Sequence, residues 1–279
     1  MTVAEVGRPR ASRAPLKLRK RSPIIDVLQV AVLAAVLIWF TLKGAGAINY
    51  NWQWYRVPVM FYRVVDGEFI LGPLIEGLFM TLKISGAALI LALFIGLATA
   101  LLRRSNSYSG RALAYGYLEL IRNTPLIVQI YLFYFVLAPI VGTTPFWTGV
   151  IALAVFEGSF TAEIFRAGIE SVKKGQWEAS DSLGLPRHET FRRVVLPQAL
   201  PLMLPPLTGQ MVSLIKHSAI LSAVAVFDLT TVGLDLIADT FMAFEVWLSV
   251  AGVYLALTIT LSVSVSLFEN RIRKRAQHW

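Results

Sequence analysis

Side chains able to do chemistry are sparse inside the apolar stretches of this chain, and those few decide its reading. Glu157, Glu163 and Arg166 interrupt the apolar run from Phe146 to Ile169. A charge within such a run is expensive unless it is paired or used. Glu163 and Arg166 are three residues apart, on one helical face, so a structural pair explains them, and a place on a polar path explains Glu163 equally well. Glu157, two turns away, is a candidate for contacting a cationic ammonium group. Glu119 and Arg122 repeat the three-residue spacing and are expected to pair. Thr124, Gln129 and Lys216 lie on neighbouring runs and, with Glu157 and Glu163, are the candidates for lining a polar path. Lys83 is close enough to a helix end to snorkel to the surface. His217, as an isolated histidine, reads first as a packing residue.

Other chemistries find no support in the sequence. No Gly-x-x-x-x-Gly-Lys-Ser/Thr segment is present to cradle nucleotide phosphates, and no Gly-x-Ser-x-Gly elbow presents a nucleophile. There is no cysteine, and the 3 histidines are scattered, so no metal site is expected. The expectation is a protein without catalytic residues, cofactor or metal.

These residues must be positioned by membrane helices. The 279 residues are 56% hydrophobic and 15% charged, with a mean hydropathy of +0.63, well below the ~25% charge of a soluble domain. Apolar runs of about 20 residues recur, and a bilayer accepts them only as helices or closed barrels. The fold expected is all-α: a polytopic membrane bundle of about six spans, near 24–42, 74–102, 125–137, 146–169, 206–227 and 244–268. Gly86, Gly96 and nearby alanines suit close helix packing. Pro125 breaks the chain after a short helix near 112–123, and Pro139 to Pro145 forms an outer turn. Residues 44–72, rich in Trp and Tyr, read as an interfacial segment. Asp228, Asp235 and Asp239 fall in an outer stretch without Lys or Arg.

The formal charge of +9 does not call for nucleic acid. Basic residues gather beside the spans, at Arg8–Arg21, Arg103–Arg104, 173–193 and Arg271–Arg275, where topology and anionic lipid account for them. They place both termini in the cytoplasm. The first apolar run is too long for a signal-peptide core and lacks a small-residue cleavage site, so it is expected to stay as a helix.

One polar island separates the apolar runs. From Ser171 to Leu200 the chain carries Lys173, Lys174, Arg187, Arg192 and Arg193, which sets it in the cytoplasm. Glu178 to Leu183 reads as a short helix stopped by Gly184 and Pro186. A second amphipathic piece spans His188 to Val195, ahead of Pro197. The pattern Glu178-Ala179-Ser180, then Gly184, then Val194-x-Leu196-Pro197 resembles the EAA loop of ABC importer permeases. Gly175-Gln176 and Pro197-Gln198-Ala199 resemble its polar amino acid branch. Glu119-x-x-Arg122-Asn-Thr124-Pro125-Leu-x-x-Gln129 and Ala162-Glu163-x-x-Arg166-Ala-Gly-Ile169 are similar to further segments of that family, as is the opening Gly77 to Ser85. Lys216-His217-Ser218-Ala219-Ile220 departs from it, with a histidine where family members carry an acid or amide. That departure puts in doubt any carry-over of substrate identity there.

The resemblance implies a permease subunit of an ATP-driven importer of polar amino acids, resident in a bacterial plasma membrane. Glu178, Ala179, Ser180, Gly184, Leu196 and Pro197 would carry the contact with a separate ATPase. A second permease subunit, identical or paralogous, and a periplasmic or extracellular binding protein are the other partners implied. Residues 1–22 would be a cytoplasmic tail, 23–73 an added helix and outer segment, 74–270 the permease core and 271–279 a cytoplasmic end. The alternatives are an ion-gradient-driven secondary transporter, for which no internal repeat is visible, a purely structural membrane subunit, and an importer permease for another small solute.

Overall fold

The computed structural model describes residues 23–47 and 50–276, with side chains left aside at 23, 45, 47 and 268–276. The basic tail and the C-terminal arginines expected to set topology therefore lie outside the described residues or side chains. Contacts divide the chain into two compact units after Trp52. The first holds helix α1, Pro23–Ala47, whose side chains from Ile24 to Gly44 are exposed. Between Gln29 and Thr41 its sequence is apolar throughout and gives it no polar face, as suits a segment meeting lipid.

The second unit opens with a one-turn helix, α2 (Val57–Phe61), and a hairpin, β1 (Tyr62–Val65) with β2 (Glu68–Leu71). The register pairs Tyr62 with Leu71 and Val65 with Glu68. Asp66 and Gly67 turn with φ of 53° and 83°, the positive angles that a two-residue hairpin loop needs and that Asp-Gly favours. The described residues are thus not wholly helical. The hairpin falls in the stretch that composition marks only as interfacial.

Then come α3 (Pro73–Arg104) and α4 (Tyr108–Arg122). After Pro125 the chain turns by 107° into α5, Leu126–Val141, which contains a π-helical stretch from Leu132 to Leu137. Helix α6 is Pro145–Glu170 and α7 is Lys174–Ser182. Helix α8, Arg187–Val224, bends by 46° into α9, Leu229–Thr240, and α10 is Ala243–Ala276. Four of these helices, α1, α3, α6 and α10, are individually long and apolar enough to cross a membrane, and six spans result if each bent pair counts as one. The bundle expected from the sequence is the bundle found.

Two boundaries differ. The fifth span was expected to start at Pro206, yet α8 is helical from Arg187 through Pro197, Pro201, Pro205 and Pro206. A proline deletes one donor and crowds the preceding turn. Here a π-helical turn at Thr190–Val195 widens the helix just before Pro197, and Pro205 and Pro206 face outward. The acidic stretch is largely helical, as α9. Asp228 is buried and caps α9, its Oδ1 accepting from Thr231 N at 2.8 Å. Tyr254 Oη, from α10, donates to its other oxygen at 3.4 Å.

The core lies where α3 and α6 run side by side. Ile84, Ala88 and Ala92 pack with Val150, Leu153 and Ala154, closed by Leu126 and Ile130 of α5 and Leu214 and Leu221 of α8. A β-carbon at Gly96 would sit 2.7 Å from Thr161 Cγ2 and 3.0 Å from the Ala162 backbone nitrogen. Only glycine allows this approach. A second cluster at the start of α3 joins Met60 of α2, Leu74, Leu229, Val232, Met242 and Val246. A third ties Ile169, Val172, Val195, Ala199 and Met203 to Trp177 of α7.

Candidate functional site

Two groups of residues emerge at different depths along α6. In the deeper one, Glu157 is fully buried. Gln210 donates its amide to one carboxylate oxygen, and His217 Nδ1 lies 2.5 Å from the other. The ring also meets Phe156 edge-on at 5.7 Å. His217 is therefore not an isolated packing histidine, and Glu157 does not stand open to an incoming ammonium group. Sequence reasoning could not pair them, because 60 residues separate the two and no local spacing links them.

The shallower group centres on Glu163. Its carboxylate takes Arg166 on one oxygen and Arg103 Nη1 at 2.8 Å on the other. Arg166 continues to Glu170, and the Arg103 guanidinium covers Tyr115 at 4.8 Å. The Glu163–Arg166 pair expected from spacing is thus present, enlarged by Arg103 from α3. A cleft of about 430 Å³ opens here, bordered by Arg103, Tyr115, Glu119, Arg122, Asn123 and Glu163.

The pair expected between Glu119 and Arg122 does not form. Glu119 accepts from the Asn123 amide at 2.8 Å, and Arg122 lies over Phe160 at 5.5 Å. Asn123 ends α4, and its amide also donates to the Glu119 backbone oxygen at 2.8 Å. Thr124 and Gln129 hold the turn that follows. Gln129 Nε2 donates to Ile121 O at 2.8 Å and to Thr124 Oγ1 at 2.7 Å. Of the five path candidates, only Glu163 borders the cleft. Glu157 is locked to α8, Thr124 and Gln129 brace their own turn, and Lys216 is exposed. Lys83 is exposed as well.

The polar loop forms a second site. Helix α7 carries an exposed Glu178, bonded to Lys174 at 3.2 Å, and an exposed Ala179. Gly184 takes φ +68° and ends the helix. Its N–H reaches Asp181 O at 3.0 Å, while Leu185 N–H reaches Ser180 O at 3.1 Å. These are the two bonds of a Schellman stop, which favours glycine. Ser180 differs from the expectation of a docking residue. It is buried, and its hydroxyl donates to Gln176 O at 2.8 Å. Leu196 and Pro197 are exposed on α8. Leu183, 78% exposed beside Gly184, is a surface residue the motif does not mark. An unpaired leucine just ahead of a helix-stop glycine was the available signal. Arg104, at the end of α3, stacks on Trp177 at 5.5 Å, so the loop sits against the basic end of that helix.

The chain matches a family described as binding-protein-dependent transport system inner membrane component over residues 88–274. It belongs to that family. Among its relatives, the glutamine transport system permease protein GlnP of Escherichia coli K12 is 38% identical over 203 residues, spanning 72% of this chain and 93% of that protein. The probable glutamine ABC transporter permease protein GlnM of Bacillus subtilis is 38% identical over 201 residues, covering 71% and 93%. A crystal structure of an amino acid ABC transporter with histidines superposes with a TM-score of 0.67 at 38% identity, covering 71% of this chain and 94% of that one. The inward-facing MetNI methionine transporter, at 22% identity and a TM-score of 0.64, shares the fold. As a member of this family, the chain is a multi-pass permease of the membrane.

Proposed function

We infer that this chain is the permease subunit of an ATP-driven importer of polar amino acids, working with a separate ATPase, a second permease subunit and a binding protein outside. The observation that carries this reading is the loop around α7. It is a short helix with an exposed acidic and apolar rim, locked by a glycine stop and pinned to the ends of α3, α6 and α8 through Trp177, Val195 and Ala199. A push on such an element is transmitted to three spans at once, as a two-state bundle driven from one end requires. The contact with the ATPase runs through Glu178, Ala179 and Leu183, with Gly184 setting the turn and Leu196 and Pro197 on the flank. Ser180 supports this surface from within. The relatives named for glutamine and the amino acid transporter structure support the substrate class.

With the loop in the cytoplasm, Arg103–Arg104 lies at the same surface and the hairpin at the opposite one. Residues 74–270 form the permease core in this arrangement. The Glu163 cleft is then the inner vestibule of the path. The Glu157–Gln210–His217 group lies two turns deeper, tying α6 to α8 where those helices must shift during transport.

Uptake of labelled glutamine into proteoliposomes containing the chain, its ATPase and its binding protein tests this reading. Glu178→Lys is expected to lower uptake at least tenfold and to release the ATPase on purification, while the chain itself stays folded. Uptake that survives the substitution, or that proceeds on an ion gradient without ATP, would place the driving force elsewhere.

A further inference from the structure

At the far end of α3 from Arg103–Arg104, a cleft of about 210 Å³ is walled by Val59, Met60, Pro73 and Leu236 and carries Arg56 and Arg63. A 32-residue helix rises about 48 Å, so this cleft lies at the membrane surface remote from the α7 loop. Among the described residues, neither guanidinium has a carboxylate within 4 Å. Arg56 Nη1 donates to the neutral Gln53 side chain at 3.0 Å, while Glu76, Asp235 and Asp239 on the adjoining helices pair with neither arginine. The segment bearing both arginines is firmly built. Glu245, buried at the start of α10, accepts from Gln53 N at 2.6 Å, Gly72 N donates to Phe61 O at 2.8 Å, and Met60 enters the core. Around the cleft, Tyr55, Phe69 and Phe241 are each at least 70% exposed, and Tyr62 stacks on Phe69 at 5.2 Å. Exposed aromatics at a span's end mark the headgroup level. The segment also lies outside the family match, which begins at residue 88.

We propose that this cleft binds one anionic phospholipid, its phosphate held by Arg56 and Arg63 and the upper part of an acyl chain lying on Val59, Met60 and Leu236. Arginine suits this task because its planar fork donates two bonds to a phosphate at once. The apolar wall favours a lipid over a free anion, since inorganic phosphate gains nothing from Met60 or Leu236. Seated there, the lipid fastens the hairpin to the headgroup layer beside α3, α9 and α10. The proposal does not depend on the transported solute or on the α7 loop.

The test titrates the full chain in mild detergent with phosphatidylglycerol, phosphatidylcholine or inorganic phosphate, and counts bound molecules by native mass spectrometry. One phosphatidylglycerol is expected to bind on the order of tenfold more tightly than phosphatidylcholine. A photoactivatable phosphatidylglycerol should attach within residues 53–73. Arg56→Gln with Arg63→Gln should abolish that preference, whereas the double Lys variant, which keeps both charges, should retain most of it. A wild type whose cross-links fall elsewhere overturns the proposal whatever the variants do. Equal preference in the Gln variant also overturns it, and phosphate that displaces the lipid at equal concentration makes the cleft a free-anion site instead.

Discussion

Glu157 and Glu163 sit six residues apart on one helix, and the bundle treats them in opposite ways. Glu157 is sealed from solvent and satisfied by neutral or titratable partners on α8, Gln210 and His217. Glu163 keeps a third of its side chain accessible and answers to two permanent cations, Arg103 and Arg166. At about 1.5 Å per residue the two lie roughly 9 Å apart along the axis. That short distance carries α6 from the bundle interior to a polar cleft. Helix α6 therefore works as two devices. The part around Glu157 is tied to α8 by a few bonds that are costly to break, and the part around Glu163 is tied to α3 by ionic bonds that water can share. Movement is easier at the second tie than at the first.

The most direct way to break this contrast is Glu157→Ala. It strands a glutamine amide and an imidazole beside an apolar core, and a cost of about 3 kcal/mol is expected from the loss of one member of a buried group. Thermal unfolding of the purified chain would register it, and glutamine uptake should collapse with it. Glu157→Gln keeps the shape and one acceptor, so about 1 kcal/mol is expected there. A loss for Gln as large as that for Ala would mean that the group's charge matters more than its geometry.

Gly96→Val acts on the other tie without touching Glu157. Its side chain collides with Thr161 and the Ala162 backbone, so α3 must move off α6, at a cost of about 2 kcal/mol. Arg103 moves away from Glu163 with it. Cysteine cross-linking between residues 103 and 163 should weaken, while a cross-link between 157 and 217 persists. Loss of both would show that α6 moves as one rigid body.

The smallest effect belongs to Glu163→Ala. Arg166 retains Glu170, and Arg103 retains Tyr115, so at most about 1 kcal/mol is expected for these partly exposed pairs. That difference should shrink further in about 1 M salt, where screening acts within a few ångström. A salt-independent deficit as large as that of Glu157→Ala would erase the distinction between the two sites.

Much of the architecture was legible in the residues themselves. Hydropathy located the spans because a bilayer leaves an apolar run no alternative to a helix. Gly184 announced the helix stop because its positive φ is strained for other residues. Asp66-Gly67 carried an equally clear hairpin signal, overshadowed by the aromatic residues around it. The proline-rich stretch from 197 to 206 misled in the other direction. Proline propensity describes an isolated helix, whereas here a widened turn and outward-facing rings absorb the missing donors. Glu119 with Arg122 shows the limit of spacing. Three residues place two side chains on one face, but a nearer amide and an aromatic ring then took each of them.

The sequence by itself determined that this chain is a largely helical membrane protein with an exposed loop built to the pattern of its family. Those properties depend on composition and on contacts within a few residues. Only the tertiary structure decided that Glu157 meets His217, that Arg103 joins Glu163, that Ser180 turns inward and that two arginines share an apolar cleft. All but the inward turn of Ser180 bring together side chains from separate elements. Helix packing sets such partnerships through interlocking surfaces, and a linear pattern of polar and apolar residues does not encode which surfaces will meet.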